Sequence, residues 1–135
     1  MIFIDTSAFY AMEVQTDVNH VKASEVKAEI AENKYGAPLT TNYIIDEVVT
    51  LLRFKAGHKE AVDFGNKIRS SKSLRVVRVD ETLEDIAWKI FKKHREKELS
   101  FTDCTSFGAM RELKISLAFA FDQHFAQMGF NVVPI

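Results

Sequence analysis

Ile2-Phe3-Ile4-Asp5-Thr6-Ser7 sets three apolar residues directly against a carboxylate and two hydroxyls. A short apolar run followed at once by residues that start helices predicts a strand turning into a helix at Asp5. The pattern returns near the other end of the chain. Leu117 to Phe121 is a continuous apolar run ending at Asp122, and a short helical stretch from Gln123 to Met128 follows it. An unbroken apolar run of this length suits a strand buried on both faces of a parallel sheet. Parallel strands need crossover connections, so helices are expected between these two strands.

The intervening sequence supplies them. Asp17 to about Asn33 reads as a helix, with Asp17 or Asn19 able to cap its start and Gly36 closing it. Pro38, Leu39 and Thr40 make a brief strand. Ile44, Ile45, Val48, Val49, Leu51 and Leu52 then recur at the spacing of one apolar helix face, which Gly57 ends. His58 to Ser70 is another helix, and Leu74, Val76, Val77 and Val79 form a strand. Leu83, Ile86, Ala87, Ile90 and Phe91 trace the buried stripe of a further helix, with Lys89, Lys92, Lys93 and Glu96 away from it. Ser100 to about Lys114 gives one more helix, and Asn131 to Val133 a last strand before Pro134. Strands and helices alternate throughout, which is the pattern of an α/β protein with a parallel sheet.

The 135 residues match the roughly 150 of one typical domain, so residues 1–135 are read as a single domain. A formal charge of −1 with 47% hydrophobic and 27% charged residues excludes a disordered tail and makes a packed core attainable. No apolar run approaches the roughly 18 residues of a membrane span or the 7–15 of a signal-peptide core, so the expected location is cytoplasmic, with no membrane partner. One cysteine, Cys104, permits neither an intrachain disulfide nor a zinc thiolate site. Near-neutral charge requires any nucleic acid to be held by a local basic face.

In open parallel sheets, ligands bind beyond the carboxyl ends of the strands. Asp5 and Asp122 both emerge there, Glu47 lies on the helix after the Leu39 strand, and Asp103 lies in the first turn of the helix leading to the Phe121 strand. Taken singly, Asp5, Asp103 and Asp122 are explained as helix caps, Ser100 with Asp103 resembles a capping box, and Glu47 is an ordinary exposed helix carboxylate. Taken together they conflict electrostatically. At an assumed separation of about 6 Å and an effective dielectric of about 20, each carboxylate pair repels by about 3 kcal/mol. A divalent cation relieves that repulsion, and hard all-oxygen ligands without partner cysteine or histidine select Mg²⁺ or Mn²⁺ over Zn²⁺. The natural use is metal-assisted phosphodiester hydrolysis.

These residues resemble the PIN-domain ribonucleases and, within them, the VapC-type toxins of toxin–antitoxin pairs. The resemblance spans nearly the whole chain. It rests on Phe3-Ile4-Asp5-Thr6-Ser7-Ala8, Thr41 through Glu47, Leu99-Ser100-Phe101-Thr102-Asp103, and Phe121-Asp122-Gln123-His124-Phe125, in that order. It implies a three-layer fold with a parallel sheet in order 3-2-1-4-5, and an acidic quartet of Asp5, Glu47, Asp103 and Asp122 as catalytic and metal-holding residues for Mg²⁺ or Mn²⁺. It further implies an endoribonuclease acting on single-stranded or loop RNA, a homodimer, and a cognate antitoxin whose peptide occupies the active-site groove. Where many relatives carry Thr or Ser two residues before the fourth acid, this chain has Ala120, and Thr6, Ser7 or Thr102 is left to supply an equivalent contact. The alternative from another class is a catalytically silent PIN-type module that binds RNA or protein.

Other readings fit less well. An aspartyl-nucleophile phosphatase needs a second Asp two positions after the first, where Ser7 stands, and no glycine-rich phosphate loop exists. Cys104 reads as a buried small apolar residue. His20, His58, His94 and His124 lack close ligand spacing and read as surface or packing histidines. Lys89, Lys92, Lys93, Arg95 and Lys97 form a solvated face or a guide for an RNA backbone, with Arg53, Lys55 and Arg111 as alternative tracks. Phe9, Tyr10, Phe54 and Phe64 are assigned to the core or to protein contacts.

Overall fold

The first strand and its helix form where the sequence places them. The computed structural model describes all 135 residues, Met1–Ile135. Its elements run β1 (Ile2–Ile4), α1 (Thr6–Glu13), α2 (His20–Ala31), β2 (Pro38–Thr41), α3 (Asn42–Lys55), α4 (His58–Ser70), β3 (Arg75–Val77), α5 (Glu81–Lys93), α6 (Phe101–Glu112), β4 (Leu117–Phe119), α7 (His124–Gln127) and β5 (Asn131–Val133). The sheet order is β3-β2-β1-β4-β5, and every pairing is parallel. This is the order 3-2-1-4-5 that the resemblance implies. Phe3 pairs with Leu39 on one side and Ala118 on the other, so β1 is central and β4 is its neighbour.

Burial follows that order. Ile2, Phe3, Leu39, Ala118 and Phe119 are fully buried, whereas Arg75 and Val76 on the edge strand β3 are exposed. Phe125 and Phe107 meet edge-to-face at 5.0 Å, and Phe125 also approaches Phe3 at 6.3 Å, so α6, α7 and β1 share one aromatic core. Phe9 of α1 and Phe64 of α4 form a second edge-to-face pair at 5.4 Å. Each such side chain contributes roughly 1.5–3 kcal/mol on burial. Gly57, at φ +137°, takes a backbone shape that side chains resist and joins α3 to α4 in a single step.

The structure departs from the sequence reading at several places. β4 stops at Phe119, two residues before the apolar run ends. Its partner β1 has by then become α1, and the Asp5 carbonyl accepts the amides of Ala8 and Phe9 in place of a strand neighbour. The Phe121 amide instead donates to Ser7 Oγ at 2.9 Å. β3 is likewise shorter than the Leu74 to Val79 run, because Leu74 N–H turns to Ser71 Oγ and Val79 N–H to Asn42 Oδ1. α2 begins at His20, since Asp17 caps only a turn through Asn19 N–H, and it ends well before Gly36, with Asn33 in the left-handed region at φ +62°. Phe91, read as part of a buried stripe, is 40% exposed. Phe54 is exposed while Phe9 and Phe64 are core, and Tyr10 packs half-buried against it.

Candidate active site

Three consecutive residues at the start of α1 tie it to two distant parts of the chain. Asp5 is the N-cap of α1, and its Oδ2 accepts from Ser7 N–H at 3.3 Å and Ser7 Oγ at 2.7 Å. Thr6 Oγ1 donates to Glu47 Oε1 on α3 at 2.5 Å. Ser7 Oγ, while donating to Asp5, accepts from Phe121 N–H. Its hydroxyl therefore joins the ends of β1 and β4.

Asp103 and Asp122 meet on the other side of the edge. Asp103 is the third residue of a capping box: its Oδ2 accepts from Ser100 N–H while its own N–H donates to Ser100 Oγ, each at 3.0 Å. Asp122 Oδ1 accepts from His124 N–H at 2.8 Å. His124 Nδ1 lies 2.9 Å from Asp122 Oδ1 and 3.9 Å from Asp103 Oδ2. The Nδ1 is buried but lacks the alignment of a hydrogen bond to either oxygen. Asp103, Asp122 and His124 each offer one ligand atom within 4.8 Å of the others. Asp5 and Glu47 stand outside that tight group.

His124, read from sequence as a surface or packing histidine, lies against two of the acids. Its signal was local: a histidine two residues after an acid at the start of a one-turn helix shares that acid's face. Of the other histidines, His20 Nδ1 lies 2.7 Å from the Ala11 carbonyl and His94 Nδ1 lies 3.3 Å from Glu96, away from the acids. Cys104 is fully buried, and burial pushes its thiol up to about 11, the reverse of what a nucleophile requires.

The electrostatics set these carboxylates apart from ordinary caps. Asp5 is 4% exposed, and burial raises its carboxyl to about 7. The Ser7 hydrogen bonds oppose the rise, and the charge of Asp103 adds to it. Burial also holds Asp103 above the usual carboxylate range, against its bond to Ser100, with the charge of Asp122 adding to the effect. No lysine or arginine forms an ion pair with Asp5, Glu47, Asp103 or Asp122. The caps are therefore real, yet they do not account for acids that repel one another with no lysine or arginine paired to them and only His124 alongside. Carboxylate oxygens with one imidazole nitrogen could hold a divalent metal ion.

Comparisons with known proteins agree with this geometry. The PIN domain model matches residues 2–131. The 23S rRNA-specific endonuclease VapC20 of Mycobacterium tuberculosis is 39% identical over 130 residues, which cover 96% of this chain and 95% of that protein. A VapC ribonuclease of Archaeoglobus fulgidus is 32% identical over 124 residues, covering 91% of this chain and 78% of its own. The crystal structure of M. tuberculosis VapC20, described as a sarcin-ricin loop cleaving toxin, superposes with a TM-score of 0.89 at 38% identity and covers 96% of each chain. FitAcB from Neisseria gonorrhoeae shares the fold at a TM-score of 0.70 and 16% identity, covering 98% of this chain and 96% of its own. By sequence, strand order and superposition alike, the chain belongs to the PIN-domain family and, within it, to the VapC proteins.

Proposed function

We propose that residues 1–135 form a single nuclease domain that hydrolyses phosphodiester bonds of single-stranded or loop RNA, acting as the toxin of a toxin–antitoxin pair. One observation carries the reading. Acids from separate segments gather at the β1/β4 edge without a lysine or arginine to balance them. Nothing in the fold requires that crowding, whereas a cation and a bound phosphate both use it. The names of the VapC relatives support RNA as the substrate, and the match to a sarcin-ricin loop cleaving toxin favours a structured ribosomal RNA loop.

Asp103 and Asp122 would hold Mg²⁺ or Mn²⁺ with His124 beside them, and Asp5 and Glu47 would complete the acidic set. When bound, the ion supplies an activated water and stabilises charge on the attacked phosphate. The protein's own contribution is orientation. Ser7 fixes the Asp5 carboxylate against the end of β4, Thr6 holds Glu47 toward α1, and Ser100 fixes the rotamer of Asp103. A cytoplasmic location, a homodimer and an antitoxin segment occupying the same groove belong to this reading. No helix is long and apolar enough to cross a membrane.

Cleavage of a mixed RNA pool tests it, run with Mn²⁺, with EDTA and with Asp5→Asn. Cleavage by the wild type with Mn²⁺ alone is the expected result. Equal cleavage in all three samples identifies a contaminant and removes the support for an active nuclease.

A further inference from the structure

An aromatic cluster runs outward from the core near the acidic edge, with Tyr43 and Phe101 packed against core residues and Trp88 and Phe91 outside them. Trp88 and Phe91 on α5 stack with ring planes 18° apart and centroids 5.6 Å apart, and they are 52% and 40% exposed. Phe101 supports both rings edge-on, at 6.3 Å from each. Tyr43 meets Phe101 from α3 at 6.4 Å. The supporting residues tie this cluster to the site. Tyr43 lies one turn before Glu47 and so shares its face of α3, and Phe101 shares the first turn of α6 with Asp103, though on a different face.

We propose that the exposed Trp88–Phe91 pair is a stacking ledge for a base of single-stranded RNA whose backbone enters the adjoining acidic site. This rests on the ribonuclease reading and adds to it a seat for the base. Flat aromatic faces left open to water are what an unstacked base meets in proteins that bind single strands, and they accept any base because every base has a π-face. Exposed Glu84 and Asp85 precede Trp88 on α5, while exposed Lys89, Lys92 and Lys93 follow it, so the positive charge that a phosphate backbone would meet lies on the C-terminal side of the ledge. The other strongly exposed aromatic, Phe54, is 83% exposed and belongs to no ring pair.

Trp88 is the only tryptophan in the chain, so its emission reports directly on the ledge. A short single-stranded oligoribonucleotide of mixed sequence, added in EDTA to prevent cleavage, is expected to quench that emission. A strand of the same length built of abasic ribose phosphates is expected not to. Anisotropy of the labelled oligonucleotide should show binding weakened roughly tenfold in Trp88→Leu and nearly unchanged in Trp88→Phe. Quenching by both strands alike, absence of quenching, or equal loss in Trp88→Leu and Trp88→Phe overturns the ledge. A dimer that becomes a monomer in Trp88→Leu by light scattering also overturns it, and makes the pair an interface between copies. Wild-type cleavage of the same oligonucleotide with Mn²⁺ is read separately. Cleavage without quenching sinks the ledge alone, and the absence of both sinks the ribonuclease reading with it.

Discussion

The two halves of the acidic edge use the same residue type in different ways. Around Asp5 and Glu47, the hydroxyls of Thr6 and Ser7 occupy carboxylate oxygens, and Asp5 is buried. Around Asp103 and Asp122 the carboxylates are partly open to solvent, are capped by backbone amides and share a histidine. The first half is built into the joint between β1, α1 and α3, and the second lies at the starts of two helices from the far end of the chain. The contrast separates rigidity from access. A deep acid pinned by hydroxyls holds a position against its own repulsion, and a shallower pair leaves room for ligands to enter and exchange.

The sharpest way to break the contrast is to remove one charge from each half and follow cleavage. Asp5→Asn and Asp122→Asn should each lower the rate by roughly 10²–10³-fold or more if both halves serve one reaction. A large loss in only one of them confines the chemistry to that half.

The next effect separates the halves by pH. The folded state keeps Asp5 protonated up to about 7, while the unfolded chain releases that proton near 4. Between those values the folded state binds more protons, so metal-free stability should fall as pH rises, by about 4 kcal/mol in total at 1.36 kcal/mol per unit. The penalty is absent below pH 4 and complete above 7. Asp5→Asn should flatten that fall and raise the metal-free melting midpoint at pH 8, as measured by thermal melts across the range.

Metal addresses the outer half more directly. At about 100 times its dissociation constant, Mn²⁺ binding only the folded state adds roughly 2.7 kcal/mol and several degrees to the midpoint. Asp103→Asn and Asp122→Asn should lose most of that shift, and a wild type whose midpoint ignores Mn²⁺ leaves the acids as caps alone. A smaller effect comes from Ser7→Ala, which strips the Phe121 amide of its partner at a cost of about 1–3 kcal/mol. Denaturant unfolding measures it, and a neutral result would show that the joint between the halves contributes nothing. Cys104→Ala belongs to neither half and should leave cleavage unchanged.

Much of this architecture was legible in residue order. The apolar runs at Ile2–Ile4 and Leu117–Phe119 marked the two strands, and α4 begins and ends at His58 and Ser70 as its pattern predicts. The parallel order could not come from local pattern and entered through the resemblance. Three features escaped for physical reasons. Strand length depends on a partner, and β4 ends because β1 has already turned into helix. Phe91 satisfied the helical spacing of a buried stripe, but periodicity fixes only a face, and here that residue stacks on Trp88 at the margin. His124 has no spaced ligand partner in sequence, because its neighbours Asp103 and Asp122 arrive from separate elements. For the acids, the sequence placed Asp5 and Asp122 at strand ends and Asp103 in a first turn; the caps it read are present at Asp5 and in the Ser100–Asp103 box, while Gln123 takes the cap position of α7 and Asp122, one residue earlier, accepts the His124 amide.

The Ser7 hydroxyl has a consequence for slow motion. The Phe121 amide is protected by a side chain and stands two residues beyond the end of β4, so its proton can exchange with solvent when α1 frays even while the sheet stays closed. That single amide is then a clock for the opening of the acidic edge, ticking independently of the central strands. Its exchange rate set against that of a core strand amide such as Phe3 gives the free energy that separates a briefly disassembled site from an unfolded protein.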